Sequence, residues 1–356
     1  MIETVHGAIR ADELGATSMH DHLLADASRL QRPGAQPAPA GDRVSPETVA
    51  YLSENMLALA DNLRLDDPVL AAQELARVRA DGQRSVVECT SWGLGPVHAG
   101  LPQIARASGV QVVVAYGAYI RSTLPAWVAE LDEAGLERHL HDALAVAIPG
   151  TDYRAGMLGI MGTTAGVPEP ERGMLRAAAR AAVRTGAAVS VRLDPDARDG
   201  LAVIRLMTGE GLPPQRIVFT NGDEFMDGPY WADLTSAGAV VEMCFGTEAV
   251  HLGRVDNPSD AERVAFFTGV VSAHPAARHV LGGSLWTKAQ LVRHGGGGYA
   301  HTLGRIVPRL AAAGVPEERL RRMTVDEPRR LLDRRRVRAA GPSAPRAVCE
   351  PSRLGA

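Results

Sequence analysis

Lysine is almost missing from this 356-residue chain: Lys288 is the single lysine among 38 basic side chains, the rest being arginine. Chemistry that needs a lysine amine therefore has one residue to use. With abundant alanine, glycine and proline, this bias suggests a GC-rich bacterial genome. The three cysteines, Cys89, Cys244 and Cys349, have neither disulfide nor thiolate-metal spacing. They read as two small buried apolar residues and one tail thiol. No apolar run approaches the roughly 20 residues that span a bilayer. The start, Met1-Ile2-Glu3-Thr4, lacks the basic region and apolar core of a secretory signal, so a cytoplasmic location is expected. No Gly-x-Gly-x-x-Gly follows a strand and no Gly-Lys-Ser/Thr phosphate loop exists, which argues against dinucleotide and phosphate-loop folds. A net charge of −3 gives no reason to expect nucleic acid or an anionic membrane as partner.

What is present is an ordinary globular composition, 46% apolar and 22% charged. Its most informative run is Met19-His20-Asp21-His22-Leu23. Strand side chains alternate faces, so His20 and His22 share one and Asp21 takes the other. Two neutral imidazoles on one face are a familiar start to a divalent-metal site. Short apolar runs predict strands at Ala16–Asp21, Ser85–Thr90, Gln111–Tyr116, Gly156–Met161, Ala188–Leu193, Arg216–Asn221, Ala239–Cys244 and His279–Ser284. Helical patterns fall between them, at Asp67–Ala80, Leu101–Ser108, Leu124–Ala145, Glu171–Thr185, Gly200–Gly209 and Asp260–Ala273. Eight such units predict an α/β fold, a single (β/α)8 TIM barrel over residues 1–333. The Pro/Gly/Ala segment Arg32–Asp42 reads as an exposed excursion after the first strand, and Gly295–Gly298 as a loop after the last. Residues 334–356 read as a Pro/Arg-rich disordered tail.

Residues 7–24, ending in Met19-His20-Asp21-His22-Leu23-Leu24, resemble the opening of the phosphotriesterase family within the amidohydrolase superfamily. Val87-Glu88-Cys89-Thr90, Tyr116-Gly117-Ala118-Tyr119 and Gly162-Thr163-Thr164 carry the likeness onward. So do Leu175–Ala179, Thr185-Gly186-Ala187, Gly295–Ala300 and Asp326–Leu332. The resemblance is colinear over about residues 2–333. It implies a barrel, two divalent metals, hydrolysis of phosphotriesters, lactones or related small esters, and a homodimer by analogy.

Residue by residue, the resemblance implies an altered site. The strand-one pair is present as His20 and His22. The bridging carboxylated lysine or glutamate falls at Ile160, or at Gly159 in the neighbouring register. The strand-five histidine falls at Arg192, the strand-six histidine at Asn221 and the strand-eight aspartate at Ser284. A two-metal centre is therefore not expected, and Arg192 supplies positive charge in its place. The expected chemistry is metal-independent acid/base work on a small anionic molecule: hydrolysis of a lactone, amide or ester, elimination, isomerisation or cyclisation. His20, His22, Arg192, Asn221 and Asp223 are the candidate catalytic residues, and Trp92, Tyr119, Ser284, Trp286 and His301 the candidate substrate-binding ones. No cofactor is favoured; a single zinc on His20 and His22, with Asp223 or another acid completing its shell, is one alternative. A non-catalytic binding protein is the other. Structural readings stand beside these. Arg192 can pair with Glu88, Asp194 or Glu242, alternation leaves the face of Glu242 open, and Cys244 reads as inert packing.

Overall fold

A computed structural model describes residues 1–39 and 41–334. Its centre is eight parallel strands, each paired with the next in sequence. In chain order they are β1 (Ala16–Asp21), β2 (Gln83–Glu88), β3 (Gln111–Tyr116), β4 (Met157–Gly162), β5 (Val189–Arg192), β6 (Ile217–Thr220), β7 (Val240–Cys244) and β8 (His279–Gly282). The backbone closes the ring between first and last: Gly283 N and Ser284 N both donate to His20 O, at 2.9 and 2.7 Å, and His22 N donates to Leu285 O at 3.0 Å. This is the expected (β/α)8 barrel.

The strands are apolar on both faces because each is covered on both. In β3, Val113 and Ala115 belong to the inner cluster, while Val112, Val114 and Tyr116 pack outward against the helices. The same period-two split places Val240 inside and Val241 and Met243 outside on β7. Glu242 and Cys244 are thereby carried to the interior, which settles the face the sequence left open. At the bottom, an N-terminal hairpin (Ile2–Thr4 with Gly7–Ile9) and the helix Glu327–Leu332 contribute Ile2, Leu331 and Leu332 to that inner cluster.

At the top, the excursion after β1 folds back over the mouth. Ala25–Asp26 pairs antiparallel with Arg64–Leu65, and Ala27, Met56, Leu57, Leu63 and Leu94 form a separate apolar cluster that Tyr119 and Trp286 join. The expected helix Leu124–Ala145 is split into a short 3-10 turn, Ala126–Glu130, and a helix, Glu133–Ala145. Asp132 starts the second piece by accepting from Gly135 N at 2.6 Å. The expected tail begins one residue late. Arg334 is fixed to the barrel by bonds to Gly156 O (3.1 Å) and Leu144 O (2.7 Å), and residues 335–356 lie outside the described residues.

Trp231 is fully buried between the barrel and its helices, and its indole N–H donates to Phe225 O at 3.0 Å. Trp231→Ala is expected to lower unfolding free energy by about 3–5 kcal/mol, the usual range for emptying such a site. Urea denaturation followed by circular dichroism checks this, and a loss under about 1 kcal/mol contradicts the packing described.

Candidate active site

The C-terminal ends of the strands converge on a pocket of about 510 Å³, its open mouth included. Barrel enzymes place their reacting groups at this end. His20, at the end of β1, and His22, just past it, both line the pocket, and their Nε2 atoms lie 3.3 Å apart. Each ring is held from behind at Nδ1. His20 Nδ1 faces Glu242 Oε2 at 3.1 Å and Thr220 Oγ1 at 2.8 Å, and the Thr220 hydroxyl donates to the same carboxylate oxygen. His22 Nδ1 meets Thr90 Oγ1 at 3.0 Å, and that hydroxyl donates to Glu88. All six side chains are buried.

These surroundings separate the two imidazoles. Burial pulls His20 down, but the charge and hydrogen bond of Glu242 outweigh it and hold His20 above its ordinary pKa. His22 is driven well below its ordinary value by burial and then by the charge on His20. With Glu88 ionised, the Thr90 proton is committed to it, so Thr90 accepts from His22 Nδ1–H and leaves His22 Nε2 bare. His20 then donates from both nitrogens, to Glu242 and to His22. Burial pushes Glu88 up to about 7 against the opposing Thr90 bond, and Asp21 up to about 7 against a bond from Ser18. Burial and then Glu242 push the Cys244 thiol well up, which fits its reading as an inert packed residue.

The opposite wall carries Arg192, Asn221 and Ser284. Asn221 (φ 55°) and Ser284 (φ 44°) end β6 and β8 in the left-handed region, where a residue with a side chain costs about 1–3 kcal/mol. Those turns bring the two side chains together, Asn221 Nδ2 donating to Ser284 Oγ at 3.3 Å. Arg192 does not pair with Glu88, Asp194 or Glu242. It pairs with Glu224, 2.7 Å away, in the turn Gly222–Phe225 that Asn221 opens, and its guanidinium lies 5.8 Å from the Tyr119 ring centre. The charge the sequence assigned to an anionic ligand is thus already countered.

Of the ten expected site residues, His20, His22, Tyr119, Arg192, Asn221, Ser284 and Trp286 line this one pocket. Three do not. Asp223 turns away to a buried ion pair with Arg263 (2.8 Å), which also holds Asp260 (3.2 Å). His301 binds Asp260 from the outer side at 2.5 Å. Trp92 packs among Tyr116, Trp127 and His139. Ile160 does line the pocket, where β4 slips register between Leu158 and Met161.

Sequence reasoning missed Glu224, Thr90, Thr220 and the role of Glu242. Only Glu242 had a readable signal, its spacing of two from Val240. One donor atom each from His20, Glu242 and Cys244 falls within 4.8 Å of the others, and this is the one such three-residue group among the described residues. The Thr220 hydroxyl, bonded to both His20 and Glu242, sits against this group. Among the described residues no helix is long and apolar enough to cross a membrane.

The phosphotriesterase family model matches residues 1–332. A Danio rerio chain named N-acetyltaurine hydrolase is 28% identical over 347 residues, covering 93% of this chain and 97% of that one. The Homo sapiens protein of that name is 26% identical over 339 residues with the same coverage. A crystal structure of a resiniferatoxin-binding protein from Rhodobacter sphaeroides superposes with a TM-score of 0.88 at 32% identity, covering 93% of this chain and 94% of that one. With the barrel, the mouth and the histidine pair in the places that family uses, the chain belongs to the phosphotriesterase family.

Proposed function

We propose that this chain is a phosphotriesterase-type hydrolase that cleaves a small ester, lactone or amide with two histidines as acid and base, without a two-metal centre. The observation that carries the reading is the convergence of both Nε2 atoms on one pocket, with each Nδ1 tied to a different buried carboxylate. The relatives named as hydrolases support the reaction class.

The donor set does not fit two metals. At the four remaining positions where the resemblance places ligands, Ile160 has no donor atom and Arg192 carries a charge already paired with Glu224. Asn221 and Ser284 are neutral and bonded to each other. No step is therefore routed through a metal.

The separated pKa values assign the roles. His22, held neutral, takes a proton from the attacking water as its oxygen bonds to the acyl carbon. Asn221 and Arg192 offer N–H groups, and Ser284 its hydroxyl, to the oxygen that becomes negative. As the acyl bond breaks, His20 gives its proton to the departing oxygen or nitrogen. His22 is then charged and His20 neutral. Proton transfer across the 3.3 Å Nε2 contact, drawn by Glu242, restores the starting state.

A second reading, binding without turnover, is favoured by one observation: the relative at 32% identity is named for what it binds.

Against a panel of small esters, lactones and amides, His20→Asn and His22→Asn are each expected to lower kcat/KM by about 10²–10⁴, the usual contribution of a positioned acid or base. Full activity in both variants contradicts the proposal. Wild-type protein that binds panel members and turns over none supports the binding reading instead.

The pH profile follows from the two directions. His22, lowered, stays neutral well into acid, whereas His20 must remain charged, so activity falls as pH rises through a value above 6.5. Glu242→Gln removes the influence that raises His20 and leaves burial. The alkaline limb of kcat/KM should move to lower pH; an unmoved limb shows that His20 is not the acid.

A further inference from the structure

We infer that Glu224 sets the charge of the substrate: by neutralising Arg192 it makes the pocket one for uncharged acyl compounds and closes it to carboxylates and sulfonates. This rests on the pocket being the substrate site, as proposed above, but not on turnover.

Arg192 is the one guanidinium or ammonium among the residues lining the pocket, so it is the group that an anionic substrate end would seek. Both oxygens of Glu224 already take it, Oε1 at 3.4 Å from Nε and Oε2 at 2.7 Å from Nη2. Two oxygens on two guanidinium nitrogens is the fork by which arginine grips a carboxylate. Glu224 therefore occupies the place of a substrate anion. The other charge at the mouth, on His20, is met from behind by Glu242. The remaining walls, Leu30, Leu94, Ile160, Tyr119 and Trp286, are apolar or aromatic.

The fork is also held in place. Asn221, left-handed at φ 55°, reverses the chain, and Glu224 N donates to Asn221 O at 3.0 Å. On the far side, Trp231 Nε1 holds Phe225 O at 3.0 Å. An incoming anion must displace a side chain anchored on both flanks or sit beside its charge. A neutral carbonyl meets neither obstacle.

The test compares phenylacetamide with phenylacetate by isothermal calorimetry on the full chain. Wild type should bind the amide at least tenfold more tightly than the carboxylate. Glu224→Gln, an isosteric change on a side chain about one-quarter exposed, should tighten phenylacetate at least tenfold, and Arg192→Met/Glu224→Gln should lose that gain. Circular dichroism checks folding of both variants. Wild type that binds phenylacetate as well as the amide overturns the inference. So does a folded Glu224→Gln protein that gains no carboxylate binding, whatever wild type binds. Binding is read without catalysis, so a protein that turns nothing over can still pass this test, and an active hydrolase can fail it.

Discussion

The structure of this site depends on one contact, the 3.3 Å approach of His20 Nε2 to His22 Nε2. Two imidazoles this close cannot both carry a proton there, because two N–H groups would face each other, and two bare nitrogens would repel. One must donate and the other accept. Everything around the pair decides which. Glu242 and Thr220 stand behind His20 and favour its charged form, while Thr90, turned toward Glu88, needs a donor from His22 and leaves its other nitrogen bare. Barrel closure serves the same arrangement. The carbonyl of His20 accepts from both Gly283 and Ser284, so one residue joins the first strand to the last, seats the Ser284 turn and aims the imidazole.

Around that pair the positive and negative groups are matched locally. Arg192 meets Glu224, His20 meets Glu242, and Arg263 meets Asp223 and Asp260. A pocket so matched places dipoles and polar hydrogens around a reacting carbonyl without a large net field. The backbone is strained where it delivers them, at Asn221 and Ser284. Side chains in the left-handed region persist only where their neighbours enforce it, and here the enforcing neighbours are the site itself.

The barrel was legible because its strands are short apolar runs separated by helices of clear period, and their ends fall within about two residues of expectation. The histidine pair was legible from spacing alone. Ile160, Arg192, Asn221 and Ser284 were placed by resemblance, and all four line the pocket. The rest depended on geometry that one-dimensional patterns do not carry. Glu242 lies in a strand buried on both sides, where alternation of apolar and polar residues does not name a face. Glu224 and Asp223 are neighbours that the turn after Asn221 sends in opposite directions, one to Arg192 and one to Arg263. Trp92 was expected at the substrate wall but fills an aromatic cluster beside it. The helix expected from Leu124 breaks because Asp132 caps a new start and Pro125 precedes the short turn before it.

The central claim is that two imidazoles replace two metals at this mouth. Its most direct test measures metal content and hydrolytic activity on the same preparation before and after exhaustive chelation. The account predicts that activity is unchanged while the metal content is driven far below one ion per chain. Activity that falls in step with metal removal, and returns on adding zinc, would contradict it.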